Sequence, residues 1–168
     1  MFRLLLALAL FTGPASAQDR VAMAGLPNPV VIGEASLGVI GITAYDARLF
    51  TSDGVPFDWA VPMALELDYK RGFSADDLLR GTEAEMRRTM GDSADMPTVI
   101  ALLDDCFLAV ENGDSYLAVS LSPDQIDLWR NGTQTCTVNY PDIRERFLSI
   151  WLSDQSRFST LSRKLRGQ

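Results

Sequence analysis

Between Val30 and Phe50 the chain is apolar on both parities. Ile40, Ile42, Ala44 and Phe50 stand at even positions, and Val39, Tyr45, Ala47 and Leu49 at odd ones. A strand written that way is covered on both faces and belongs inside a sheet, with layers above and below it. Gly33, Gly38 and Gly41 interrupt the run, which predicts bends, a bulge or close backbone approach. Two strands, or one bent strand, therefore occupy about residues 30–50. Thr51-Ser52-Asp53-Gly54 follows as a turn, and residues 55–61, with Pro56 and Trp59, as a loop. Ahead of the run, residues 19–28 are polar and then small, and Pro27 and Pro29 predict an extended entry.

Farther along, the pattern changes period. Met63, Leu65, Leu67 and Tyr69 alternate with Ala64, Glu66 and Asp68, which predicts a half-exposed strand. Ser74 and Asp77 form a capping box that opens a helix, and Gly91 closes it. Leu78, Leu79, Thr82, Met86 and Met90 make its inner stripe; Arg80, Glu83, Glu85, Arg87 and Arg88 make its solvated face. A second helix is predicted over 97–110 from the spacing of Val99, Leu102, Leu103, Cys106, Phe107 and Val110. Asp104 and Asp105 are neighbours on it and point apart, so they read as solvated charge.

A turn at 111–114 leads into strands at 116–121, 125–130 and 133–139. The hinge is Arg130-Asn131-Gly132. A three-residue loop with a bulge, pairing Leu128 with Gln134 and Ile126 with Cys136, keeps the apolar side chains on one face. Pro141-Asp142 opens a helix buried through Ile143, Phe147, Ile150 and Trp151. A short last helix carries Phe158, Leu161 and Leu165, with Arg163, Lys164 and Arg166 at its C-terminal end, where the helix dipole favours cations.

The first 17 residues read differently. One positive charge at Arg3, an apolar run from Leu4 to Phe11 and the small-x-small site Ala15-Ser16-Ala17 are the parts of a secretory signal peptide. The apolar run is far short of the ~20 residues that a membrane span requires. The expected organisation is a signal peptide over 1–17, cleaved after Ala17, and a single domain over 18–168, in a bacterial periplasm or outside the cell. Without Arg3 the 15 basic residues become 14 against 22 acidic, a net charge of −8, which argues against nucleic acid and anionic membrane surfaces as partners.

Two cysteines, Cys106 and Cys136, are expected to be joined in an oxidising compartment. No further cysteine completes a zinc motif, and the chain contains no histidine. That excludes Ser-His-Asp and Cys-His catalysis and imidazole metal sites. No metal and no cofactor is expected.

Three blocks carry a resemblance. Gly-Val-Ile-Gly-Ile-Thr-Ala-Tyr-Asp-Ala-Arg-Leu-Phe (38–50) is similar to the central strand of the chalcone isomerase-like superfamily. Ala-Leu-Glu-Leu-Asp-Tyr-Lys-Arg-Gly-Phe-Ser-Ala-Asp-Asp-Leu (64–78) resembles its strand-to-helix step. Arg-Phe-Leu-Ser-Ile-Trp-Leu-Ser-Asp (146–154), followed by Leu161 to Gly167, resembles the closing helices of its secreted bacterial branch. The resemblance implies an α+β fold, an open-faced β-sandwich: an antiparallel sheet with helices packed on one face and a smaller layer near the other. It also implies a cleft between sheet and helices. Plant members bind chalcones there and close a ring by adding a phenolate to an enone; fatty-acid-binding relatives use the cavity without catalysis.

The residues of the plant enzymes are absent at the matching positions. With Tyr45 aligned, the family's threonine falls on Ile40, its helix tyrosine near Leu78 and its asparagine near Glu85; its arginine meets only Glu34 to Leu37. No cation stands ready for a developing enolate. The expectation is a non-catalytic protein holding a small apolar ligand, such as a fatty acid or a flavonoid-like molecule. Tyr45, Arg48, Tyr69 and Lys70 are the candidate ligand-binding residues. The alternatives are an active chalcone-type isomerase with relocated residues, Tyr69, Lys70 and Arg71 supplying acid and cation, or an envelope-accessory structural protein whose old cavity is filled.

Overall fold

The computed structural model describes residues 16–39 and 42–168. Most of the expected signal peptide, and Ile40 and Gly41, lie outside the described residues. Six antiparallel strands form one sheet in chain order: β1 (Pro29–Val39), β2 (Ile42–Ser52), β3 (Met63–Tyr69), β4 (Ser115–Ser122), β5 (Gln125–Arg130) and β6 (Thr133–Asn139). Among the described residues five helices pack on it: α1 (Ala17–Met23), α2 (Ala75–Met90), α3 (Met96–Asp104), α4 (Ile143–Leu152) and α5 (Ser159–Leu165).

Each strand sends alternate side chains to opposite faces, so the sheet has two cores. On one face Leu49, Leu65, Leu67, Ala118 and Leu128 meet Met86 of α2, Leu103 of α3, Phe147 of α4 and Leu165 of α5. On the other, Phe50, Ala64, Leu117 and Val119 are covered by Val21 and Ala24 of α1 and by Leu26. The apolar 30–50 stretch is the β1–β2 pair; contrary to the expectation of cover on both faces, β1 is the sheet edge and Val30 and Ile42 are exposed, and only β2 from Ala47 onward is deeply buried. The pair is bulged between Val31 and Gly33, and a Cβ on Gly33 would stand 2.2 Å from the carbonyl oxygens of Lys164 and Leu165. Glycine there lets the end of α5 lie against the edge strand.

Several expectations need correction. The segment read as an extended lead-in is α1, capped by a reciprocal box between Ser16 and Asp19. Since α1 lies over β3, that strand is buried on both faces, and Glu66 is only 1% exposed. The helix expected over 97–110 stops at Asp104. Beyond it Tyr116 holds the chain in another path, its hydroxyl accepting from the Leu108 N–H (2.7 Å) and donating to the Cys106 carbonyl (3.2 Å). Val110 then bridges to Phe73. Met90, placed on the inner stripe of α2, is exposed, and Thr89 turns inward to bond Ser149 (2.7 Å).

The β5–β6 loop has two residues, not three. Asn131 and Gly132 both adopt left-handed backbone (φ 50° and 79°), the geometry of the tightest hairpins. The amide of Asn131 locks the turn, accepting from the Ser115 N–H (2.8 Å) and donating to Asp114 (2.7 Å). A bulge after Leu128 then restores the apolar register, pairing Leu128 with Cys136 and Ile126 with Val138. Cys136 faces the helices and is bonded to Cys106, with Cα atoms 5.2 Å apart.

Candidate functional site

Between the sheet and helices α2, α4 and α5 the packing is incomplete. The reason lies in small residues along the walls: Ala35, Ala47 and Ala118 on the strands, and Gly81, exposed at the rim, on α2. A Cβ added at Gly81 would meet nothing within 4 Å. Two adjoining hollows result, an inner one of about 190 Å³ and an outer one of about 340 Å³.

The inner hollow lies over β2–β5, with Leu65, Leu67, Tyr69 and Leu128 among its sheet residues. Phe107, Phe147 and Ile150 line its helix side. The outer hollow runs toward the sheet edge, between Ala35, Leu37 and Ala47 and the α5 residues Leu161 and Leu165. Tyr45, Phe73, Gly81, Glu85, Ile150 and Trp151 border both, so these residues form the partition. At its centre the Trp151 indole N–H donates to the Tyr45 hydroxyl (2.9 Å).

Aromatic edges surround the inner hollow. Tyr69 lies edge-on to Tyr45 (5.7 Å between centroids), Phe73 (5.8 Å) and Tyr116 (6.5 Å), and Phe147 lies edge-on to Trp151 (5.4 Å). Burial disfavours a phenolate in such a place. It pushes the Tyr45 phenol up to about 12, with the Trp151 hydrogen bond opposing and the Glu85 carboxylate adding to the rise. Burial raises Tyr69 further, followed by the neighbouring Tyr45 and Tyr116. The Tyr69 hydroxyl has no hydrogen-bond partner among the described residues. Phenols with such high pKa values are neutral hydrogen-bonding groups near pH 7 and poor proton donors to a reaction.

The structure brings together two of the four residues singled out by sequence. Tyr45 and Tyr69 are paired in register across β2 and β3 and both line the inner hollow. Arg48 has the opposite parity to Tyr45, so it projects from the α1 face, where it joins Glu66 (2.9 Å) and Asp68. Lys70 stands just beyond β3, in a half-exposed pair with Asp46 (2.9 Å). Neither cation is on the wall of the apolar hollows. Sequence reasoning missed Glu85, assigned to a solvated face. Its side chain is 18% exposed, borders both hollows and is paired with Arg157 (2.8 Å) and Arg88 (3.4 Å). Gly81 was also passed over, although a glycine inside a helix that costs about 1 kcal/mol relative to alanine was a readable signal.

The chain shares the fold of a known fatty-acid-binding protein. The crystal structure of AtFAP1, from Arabidopsis thaliana, superposes with a TM-score of 0.62 at 8% identity, over 83% of this chain and 87% of that one. The α+β open-faced arrangement is thus one found in a solved protein, and at this identity the likeness concerns fold alone. No known family's sequence model matches the chain, and no curated protein matches it in sequence. Among the described residues no helix is long and apolar enough to cross a membrane.

Proposed function

We propose that this is a periplasmic, chalcone isomerase-like protein that holds a small apolar or amphipathic molecule between sheet and helices without transforming it. The observation that carries the proposal is the pair of adjoining apolar hollows, the outer of about 340 Å³, in the sheet–helix cleft. That is within the range of ~300–1,000 Å³ typical of ligand pockets. The shared fold with a fatty-acid-binding protein supports the same reading.

Catalysis is disfavoured by the chemistry of the walls. The charged residues bordering the inner hollow are Asp77 and Glu85, both acidic, so the wall offers no cation to a developing enolate. Leu78 and Glu85, near which the resemblance puts the plant enzymes' tyrosine and asparagine, border the inner hollow. The periplasmic location is supported by the leader pattern over 1–17 and by the Cys106–Cys136 bridge, which an oxidising compartment preserves.

The test is mass spectrometry of an organic extract of the purified protein, beside Gly81→Leu, which places a bulky side chain on the border of both hollows. An apolar molecule in the parent, lost in the variant, is expected. Clean extracts from both, together with failure to take up any apolar dye, would refute ligand binding. Mixing with a chalcone should leave its absorbance falling at the spontaneous rate; faster loss would overturn the non-catalytic part. Fractionation of producing cells checks the compartment.

A further inference from the structure

We infer that the inner hollow selects an uncharged chain molecule with a hydrogen-bond-accepting oxygen, an alkyl ester or ketone, over a carboxylate anion, with Tyr69 as the selecting donor. The inference rests on the binding reading above and specifies its ligand class.

Three polar hydroxyls border this hollow from the sheet, and they differ in what is left to offer. Tyr116 is fully engaged, accepting from the Leu108 N–H and donating to the Cys106 carbonyl. Tyr45 accepts from Trp151 at the partition and keeps its own O–H, whereas Tyr69 has neither bond. Tyr69 is 5% exposed, lines the hollow and has no partner among the described residues. The Tyr69 oxygen is not itself fully enclosed, so the unused donor stays open to an acceptor in the hollow that it lines. A ligand oxygen in the hollow would supply the missing acceptor.

Charge decides which oxygen. A carboxylate entering the hollow loses its water and needs a cation in exchange. Its charged neighbours would be Asp77 and Glu85. The cation bordering the outer hollow, Arg157, is already matched by Glu85 at 2.8 Å. Arg48 is on the far face of the sheet, engaged with Glu66 and Asp68. An ester or ketone carbonyl loses far less on leaving water and accepts the Tyr69 O–H as well. Its chain would continue past the Tyr45–Trp151 partition toward Leu161 and Leu165.

The experiment is displacement of Nile red from the purified protein at pH 8 by methyl decanoate, 2-undecanone, decanoate and decane. The ester and ketone should compete at least tenfold better than decanoate. Tyr69→Phe keeps the ring and removes the donor; it should weaken the ester about three- to tenfold, one neutral hydrogen bond, and leave decane unchanged. Decanoate competing better than the ester, or an ester affinity untouched in a folded Tyr69→Phe protein, would overturn this inference and leave ligand binding standing. If neither Nile red nor any of the four binds, both readings fall.

Discussion

Removing the carboxylate of Glu66 should loosen the α1 face of the sheet. Glu66 is 1% exposed beneath α1. One oxygen accepts from Arg20 Nε at 2.9 Å and Arg20 Nη2 at 2.5 Å; the other accepts from Arg48 Nη2 at 2.9 Å. Truncating one partner of a fully buried ion pair costs about 3–5 kcal/mol, because the remaining charge is stranded. Here Arg20 and Arg48 keep 28% and 27% of their side-chain exposure, and Arg48 retains Asp68. Both guanidinium groups can turn toward water, so the cost of Glu66→Ala belongs lower, at about 2–3 kcal/mol. For a chain of this size that is a fall in Tm of roughly 4–12 °C. Urea unfolding measures the change in midpoint, and amide exchange shows where it lands: α1 should lose protection before β3 and β4. The double variant Arg20→Ala/Glu66→Ala should cost less than the sum of the single changes, since each removes the same contact. A Glu66→Ala protein within about 0.5 kcal/mol of the parent, with α1 equally protected, would refute the reasoning.

Four further outcomes are expected. Replacing Cys106 and Cys136 by alanine frees a loop spanning a sequence separation of 30, which the chain-entropy argument puts at about 3–4 kcal/mol, read from urea midpoints. Gly81→Ala should raise stability by about 0.5–1 kcal/mol, since the position is helical and open, while reducing uptake of apolar dye only slightly. Asp114 is held below the usual carboxylate range by Asn131, then by the Glu111 N–H and by Arg130, so its contribution is present above about pH 4 and lost as pH falls through its lowered folded value. Acid unfolding of Asp114→Asn should therefore be less steep below about pH 4. Finally, all four tyrosines have raised pKa values, through burial at Tyr45, Tyr69 and Tyr116 and through the Asp95 hydrogen bond at Tyr140. The folded protein should show little tyrosinate absorbance at about pH 10, where the urea-unfolded chain ionises, and stability should decline as pH rises above that point.

Local rules made much of this protein readable. The capping box at Ser74 and Asp77, the stop at Gly91 and the alternation in 63–69 and 125–139 specify elements through neighbouring residues, and the structure has each of them. The glycines in 30–50 called for the bulge and close approach found at Gly33, but the covering on both faces expected there is met only in the second half of β2: β1 is a sheet edge, and Val30 and Ile42 are exposed. The fold class followed from the order of elements together with the resemblance.

What remained depended on contacts between distant residues. Ser16 and Asp19 carry a capping box as clear as the one at Ser74, and the helix that it opens is held by packing against Phe50, Ala64 and Leu117, which no local pattern announces. Once α1 covers that face, Glu66 is buried and the parity of β2 commits Arg48 to it. Arg144 has no local signature of burial, yet it is 1% exposed and donates to Ser120 of β4 and to the Trp59 carbonyl. The cavity is likewise tertiary. Ala35, Ala47, Gly81 and Ala118 are ordinary small residues singly, and they leave a hollow because sheet and helices bring them to one place. A sequence pattern records which side chains turn inward. How completely they fill the space between two layers depends on the distance between those layers, and that distance is set by every other contact in the fold.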